Sequence, residues 1–593
     1  MKVIGKKVKI IGIVVAVILI IAGVTAVAML MRRSLPDPET VRKIRSAMQV
    51  GPSYISKAHQ DNIDRKRAIA NFANDAFPEW TTKEEEFNKL TLFAIELLEL
   101  NVTRDALSLC RSIVESIINS IISRLQLIPG PLTAIPWGKN WYPFSIYVTR
   151  LFVTYEYLGD DSNLKRKCHD QLIRITPYIG VSFQSTREGE NLFYMAVARL
   201  CSNYLFEPDQ FIKDQSDPQF KKLEAYLEFP IVKTNEVKEG RYPDGSWIYS
   251  ENVASYAEAR KYGEFYDRLY RIFGFPSKIK EGAESIFPKL LHPKIPYLPL
   301  GLVGRSGKVV NYKRYPNMTI SETGVFVMPF MGFGIFKSPH FLFYVRVQRP
   351  GIAAFQAKKF NGDEIEKNPN HLGLGWVQLR KLYRNNYATR TDKIVEYTWK
   401  NLKIQPGLLT FADNEVNFLE VFNVPDGKKP KSFMTKRETL KSYIGQLNAD
   451  SEDISKKLLF WLNIYDFDDV YTGGCEVTEA AIVTDQGLQA YYIINNKTGK
   501  PLKFICKDEQ TEWKVKINDS ELSENFHNVP ASLTTEFSWR VLQSDDIDYK
   551  VRYVRGVMTF KFQTKEYKIE ASPLSGTYVV KDEDDKDVVK GSM

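Results

Sequence analysis

The chain has 593 residues, 44% of them hydrophobic and 13% aromatic, which is enough apolar surface for large cores and excludes a disordered scaffold. Its formal charge is +10, but six of those charges (Lys2, Lys6, Lys7, Lys9, Arg32 and Arg33) lie in the first 33 residues, which hold no acid. The rest carries about +4, too weak an excess for the clustered basic stripe of a nucleic-acid binder. Five cysteines in this length exclude a disulfide mini-protein.

From Ile10 to Met31 every residue is apolar or small. As a helix this run spans about 33 Å, one bilayer core, so residues 1–33 are expected to be a transmembrane anchor. A cleavable signal ending near Ala26 and Ala28 competes, although a signal's apolar core of about 7–15 residues is shorter than this run. Lys and Arg flank it on both sides, so charge alone does not orient it. Residues 34–82 are polar, with Pro36, Pro38 and Pro52, and are expected to form a stalk with a short helix. Residues 83–285 carry helical periodicity. Leu90, Phe93, Ala94, Leu97 and Leu98 share one face, as do Ile113, Ile117, Ile121 and Ile122, and similar segments recur at 144–158, 190–206 and 254–273. Residues 286–593 change to short strands with alternating aromatic or β-branched residues. Those strands are expected at 324–328, 341–347, 394–399, 416–422, 489–494, 553–562 and 577–580, in packed antiparallel sheets. The acidic run 582–587 reads as a solvated end. A site is expected in a cleft between the helical and β regions.

None of the cysteines (Cys110, Cys168, Cys201, Cys475, Cys506) forms a CxxC pair, so they read as buried thiols with at most one or two bridges. No spacing asks for a metal or another cofactor. Four clusters can carry chemistry. Pro136 to Tyr142 holds Trp137, Asn140, Trp141 and Tyr142. It is either a platform for stacking sugar rings or a loop whose aromatics cap the helical core. Thr186 to Asn191 opens a helix, where Asn191 can donate its amide to a carboxylate. Tyr242 to Ser250 contains the turn signal Pro-Asp-Gly-Ser and Trp247, and is followed by Tyr256 and Tyr262-Gly263. Gly304 to Gly307 places Arg305 at the boundary between the two regions.

In this order the clusters resemble those of the hyaluronate and chondroitin lyase superfamily. Asn140-Trp141-Tyr142 is similar to its aromatic patch, Gly189-Glu190-Asn191 to its Asn segment, and Asp244-Gly245-Ser246-Trp247 to its DGSF-type motif. Tyr262-Gly263 and Arg305 are similar to its Tyr-Gly and to the Arg after its helical domain. With the apolar N-terminus, and through the runs Pro136-Trp137-Gly138 and Val303 to Gly307, the chain resembles the envelope lyases of occlusion-derived baculoviruses. The resemblance implies an incomplete α/α toroid followed by an antiparallel β-sandwich, and an anchored protein of the virion envelope with its bulk on the outer side. It implies an acidic glycosaminoglycan such as chondroitin or hyaluronan as partner, besides the bilayer, with no nucleic acid.

The implied reaction is β-elimination at a uronic acid, in which a base removes the C5 proton and the bond to the C4 oxygen breaks as that oxygen is protonated. Asn191 would bind the carboxylate and spread the developing charge. Tyr262 would be the acid or base, with Tyr256 as its rival, and Arg305 its electrostatic partner. Trp137, Asn140, Trp141, Tyr142 and Trp247 would hold the sugar. Where the family has a histidine, six residues after the Asp of its motif, this chain has Ser250, whose hydroxyl cannot take a proton at neutral pH as imidazole does. That departure keeps a second reading open, a polysaccharide-binding envelope protein without catalysis. A hydrolase using Asp244 with Glu188 or Glu190 is a third.

Overall fold

The computed structural model describes residues 35–228, 240–293, 319–347, 442–466 and 475–592, apart from short internal breaks, and small pieces between 349 and 411. The chain divides into two units, Met1–Glu228 with Tyr262–Ile279, and Phe229–Lys261 with Lys280–Met593. The first is helical and the second antiparallel β, apart from the helix Ile279–Leu290.

In the helical unit, α1 (Pro38–Met48) starts where Asp37 accepts from the backbone N–H of Thr40 at 2.8 Å, with Pro38 supplying a preset φ in the first turn. It is followed by α2 (Glu84–Glu99), α3 (Arg104–Gln126), α4 (Thr149–Leu158), α5 (Ser162–Ile175) and α6 (Gly189–Phe206). α7 (Pro208–Asp214), α8 (Pro218–Leu227) and α9 (Ala259–Ile272) complete it. The faces read from periodicity are the buried ones. Leu90, Phe93, Ala94, Leu97 and Leu98 of α2 join Ile113, Ile117, Ile121 and Ile122 of α3 in one core. Each such large side chain contributes about 1.5–3 kcal/mol by leaving water. α6 is buried almost all round, which is why its sequence shows no polar stripe.

A buried ion pair pins α6. Arg199 donates from Nε to Asp214 Oδ2 at 2.8 Å and from Nη1 to the Thr176 carbonyl at 2.7 Å. Asn203 and Gln210 each donate a further 2.7 Å bond to the same carboxylate. The helix whose first turn carries Asn191 is thus fixed two turns further along.

The β unit is layered. A seven-stranded sheet runs Tyr443–Leu447, Leu458–Asp466, Cys475–Thr484, Gly487–Asn496, Thr534–Leu542, Lys514–Ile517, Ser520–Glu521 in spatial order, each strand antiparallel to its neighbours. On one face its Ile444, Leu459 and Trp461 pack with Val325, Phe336 and Phe343 of a four-stranded sheet. On the other, Tyr443, Phe460 and Leu462 pack with Met558, Phe560 and Tyr578 of a five-stranded sheet. Strand Leu458–Asp466 is therefore covered on both faces, and it opens with a continuous apolar run, Leu458 to Leu462, rather than an alternation.

Residues 34–82 do not form a stalk. Ile44, Met48, Phe72 and Trp80 are buried in the helical core, and the Asp37 backbone N–H donates to the Tyr204 hydroxyl at 2.9 Å. The polar residues read as a stalk are the outer faces of short packed helices. All five cysteines are free and buried. Among the described residues no helix is long and apolar enough to cross a membrane, and the run 10–31 lies outside them. The strands expected at 394–399 and 416–422 also lie outside the described residues.

Candidate functional site

The aromatic loop enters the helical unit through a π-helical turn, Pro143–Val148, that runs on into α4. Such turns widen the helix by one residue and re-aim the side chains beside them. Trp137 points inward and is 9% exposed, its ring 5.5 Å from Trp80, 5.1 Å from Phe87 and 4.7 Å from Phe144. Its contacts are those of a core residue. Trp141 and Tyr142 are half-buried, with ring centroids 5.6 Å apart, and Tyr147 stands edge-on to Tyr142 at 5.3 Å. Asn140 holds this loop in shape. Its Nδ2 donates to Glu84 Oε1 at 2.7 Å, and its Oδ1 accepts from the Tyr142 backbone N–H at 3.0 Å. Both ends of the amide are thus used within the protein.

A two-strand hairpin, β1 (Val181–Ser182) with β2 (Ser185–Thr186), leads into α6. Phe183 and Gln184 at its tip have φ of 49° and 61°, the left-handed pair that a two-residue turn of this twist requires. Phe183 is held there by packing edge-on against Phe144, and Ser145 Oγ donates to Ser182 Oγ at 2.9 Å. The hairpin is so fastened to the turn that follows the aromatic loop. Arg187 comes directly after it. Its backbone N–H donates to the Gly180 carbonyl at 2.7 Å, and its guanidinium carbon lies 3.7 Å from the centroid of Trp141. Gly189, with φ of 57°, then turns the chain into α6.

Asn191 sits in the first turn of α6 and is half-buried. Its Oδ1 is buried without a hydrogen-bond partner, and its Nδ2 makes no hydrogen bond with the described residues. Glu190 beside it turns inward towards Tyr194, whose hydroxyl is pushed well above its ordinary pKa by burial and then by that carboxylate. Glu190 is 4% exposed, which keeps its carboxylate away from an anionic ligand at the surface, while Glu188 is exposed.

The first unit thus brings together Trp141, Tyr142 and Arg187, with Asn140 positioning the loop, and Asn191 follows Arg187 by four residues in the first turn of α6. Tyr262 lies in α9 but its side chain is outside the described residues, as are Tyr256, Ser250 and Arg305. One turn after Tyr262, Tyr266 is stacked on Tyr194 at 4.7 Å, and its buried hydroxyl has no partner among the described residues. Among the histidines His169 is engaged elsewhere: its Nδ1 meets Ser202 Oγ at 2.8 Å and its Nε2 meets Glu207 at 3.3 Å.

Trp247 belongs to the other unit. It lies in strand β4 (Trp247–Tyr249), between β3 (Gly240–Arg241) and β5 (Val253–Ala254). It is 4% exposed, with the Arg241 guanidinium 4.3 Å from its ring centre. The Asp-Gly-Ser turn before it is a latch. Asp244 Oδ2 accepts from the Phe330 backbone N–H at 2.7 Å and from Ser246 Oγ at 2.9 Å, and Oδ1 accepts from the Ser246 N–H at 2.9 Å. Gly245 is required there. Its φ is +92°, and an added Cβ would lie 2.3 Å from Ile286 Cδ1. A carboxylate committed in this way is a structural group, which removes the support for a hydrolytic carboxylate pair.

Sequence reasoning gave no role to Arg187, although it lies within the cluster from Thr186 to Asn191, and passed over Tyr147 and Tyr194. The polar hairpin before Arg187 was the available signal, since Ser182-Phe-Gln-Ser-Thr186 is a short turn between two packed elements.

By sequence, no protein-family model and no curated protein matches the chain. Solved structures do. A chondroitin lyase that is a baculovirus envelope protein superposes with a TM-score of 0.54 at 12% identity, over 91% of this chain and 88% of that one. The chondroitin AC lyase of Streptomyces coelicolor, solved with chondroitin sulphate, gives 0.57 at 10% identity over 92% of each chain. A xanthan lyase of Paenibacillus gives 0.57 at 8% identity, over 92% of this chain and 67% of that one. At these identities the likeness shows the fold, which is that of the polysaccharide lyases.

Proposed function

We propose that this protein binds an acidic glycosaminoglycan of the chondroitin or hyaluronan type and cleaves it by β-elimination. The observation that carries the reading is a cation set against two half-exposed aromatic rings, in a chain with a polysaccharide-lyase fold, with an amide that bonds to none of the described residues four positions further along the chain. A carboxylate beside C5 makes the C5 proton weakly acidic. An amide donor on that carboxylate spreads the charge that develops as the proton leaves, and Asn191 is available for this because its side chain bonds to none of the described residues. Tyr142 and Trp141, both half-buried, offer apolar surface against which a sugar ring can pack. In this reading Tyr262, at the start of α9, moves the proton, with Arg305 as its electrostatic partner.

The site's place in a membrane-anchored envelope protein is part of the same proposal. Its support is the 22-residue apolar run 10–31 and the likeness of the N-terminal clusters to baculovirus envelope lyases.

Ser250 favours a second reading in which binding persists without turnover, because loss of a positioned acid or base group costs about 10²–10⁴ in rate. One experiment separates the two. The full-length chain in detergent is incubated with chondroitin and with hyaluronan over a range of pH, beside an Asn191→Ala/Tyr262→Phe double variant. Unsaturated uronate is followed by its absorbance. Absorbance rising in the wild type alone supports the lyase. No absorbance, with polysaccharide retained by the protein, supports binding alone. Neither product nor retention refutes both.

A further inference from the structure

The inward-set arginines of the helical unit are almost all consumed by the fold. Arg150 donates to Glu99 at 2.6 Å, and Arg199 donates to Asp214 and the Thr176 carbonyl. Arg174 donates to the carbonyls of Leu125, Ile128 and Gly130, and Arg271 to Asp267. Arg187 differs. It has no carboxylate partner among the described residues, and the one side-chain acceptor near its guanidinium is Ser182 Oγ, at 3.5 Å from Nε. A guanidinium has five N–H donors, and leaving most of them without an acceptor at a half-buried position is costly unless something else supplies one. Partial burial already pulls the Arg187 pKa below its usual value.

The guanidinium is nonetheless held in place. It lies over the Trp141 indole, and its backbone is tied to Gly180 at the base of a hairpin that is itself fastened through Phe183 and Ser182. A guanidinium stacked on an aromatic face keeps its N–H fork in the plane parallel to the ring, free to engage a planar oxyanion from the side. Arg187 thus occupies one face of Trp141, which leaves Tyr142 and the remaining exposed part of Trp141 to a sugar.

We infer that Arg187 is the residue that reads the charge of the polysaccharide, holding one oxyanion of the chain, a uronate carboxylate or a sulfate ester, in the plane of a guanidinium stacked on Trp141. The inference rests on the proposed glycosaminoglycan reading and adds the residue that makes the site require an acidic sugar. It also makes Trp141 a support for the cation as well as a sugar contact.

The test is the affinity of the full-length chain in detergent for size-defined oligosaccharides of chondroitin 4-sulfate, chondroitin 6-sulfate, unsulfated chondroitin and hyaluronan. Each is measured for wild type, Arg187→Gln, Arg187→Lys and Lys167→Gln, an exposed cation on α5 that serves as the control for general charge. Arg187→Gln is expected to weaken binding about 10- to 100-fold and to lower its salt dependence. Arg187→Lys, which keeps the charge and loses the planar fork, should fall between, and Lys167→Gln should bind as wild type does. A loss equal on all four ligands assigns the oxyanion as the uronate carboxylate. A loss confined to the sulfated ligands assigns it as sulfate. Wild-type affinity and salt dependence in both Arg187 variants, in a wild type that binds, overturns the inference and leaves the glycosaminoglycan reading standing. Absence of binding by the wild type to all four overturns both. Arg187→Lys retains the cation on the indole, so it remains informative if Arg187→Gln does not fold.

Discussion

Replacing Asn191 with Ala separates a ligand-binding role from a structural one with little ambiguity. The Asn191 side chain makes no hydrogen bond with the described residues, and its Oδ1 is buried without a partner. A buried unsatisfied acceptor costs about 1–3 kcal/mol, so truncating it should leave the unfolding free energy unchanged or raise it by up to about 1 kcal/mol. Transition-state stabilisation should move the other way. Removing one donor from a developing oxyanion typically lowers kcat by about 10²–10³, or about 2.7–4 kcal/mol. The assay pairs urea unfolding, followed by circular dichroism, with the rate of unsaturated-uronate formation, or with Kd for the polysaccharide if turnover is absent. Asn191→Ala should therefore keep its unfolding midpoint while losing turnover or affinity. A parallel fall in stability of more than about 1 kcal/mol would make Asn191 a structural residue. Unchanged turnover and affinity would remove it from the site altogether.

Asp244→Ala should destabilise the β unit by about 2–4 kcal/mol, because it strips the acceptor from the Phe330 N–H and from Ser246. A variant that keeps full stability and loses only activity would restore Asp244 as a chemical group. Tyr266→Phe removes a buried hydroxyl that has no partner among the described residues and should leave the melting temperature unchanged or slightly raised. A drop in activity without a drop in melting temperature would instead show that this hydroxyl, not the one at Tyr262, serves the reaction. Glu479, buried in the seven-stranded sheet and accepting from Tyr492 Oη at 2.8 Å, is pushed up by burial from 4.5 to about 7. A raised folded-state pKa favours the fold at low pH. Its contribution, up to about 3 kcal/mol, is complete below pH 4.5 and is lost as pH rises through about 7. Urea unfolding at pH 5 and pH 8 should show that decline in wild type and not in Glu479→Gln, and equal declines in both would refute the assignment.

The helical region was legible because a helix half in water must repeat its apolar residues every three to four positions. Leu90, Phe93, Leu97 and the isoleucines of α3 do so and are buried. The strands Leu458–Asp466 and Cys475–Thr484 were not read, because sheets on both faces remove the alternation that marks a strand. The polar segment after residue 33 looked like a stalk because its few apolar side chains, Ile44 and Met48 among them, are too sparse to announce a core they only join.

The clusters of the candidate site divide the same way. Composition and order were enough to pick out the aromatic loop, the segment ending at Asn191 and the Asp-Gly-Ser turn, since stacking rings, amides and turn residues are chemical types visible one by one. Which ring faces in and which faces out depends on partners far away in the chain. Trp137 is buried because Trp80, Phe87 and Phe144 surround it, while Trp141, four residues on, stays half-buried at the edge of the same core, beside Tyr142 and a cation brought by a hairpin 40 residues later. Likewise the charge of Asp244 is spent on a loop 86 residues away, while that of Arg187 meets no carboxylate among the described residues. The sequence by itself determined the residue types in each cluster and the order of a helical and a β region. Only the tertiary structure decided which of those groups the described fold consumes and which it does not, because hydrogen bonds and burial are settled by neighbours in space.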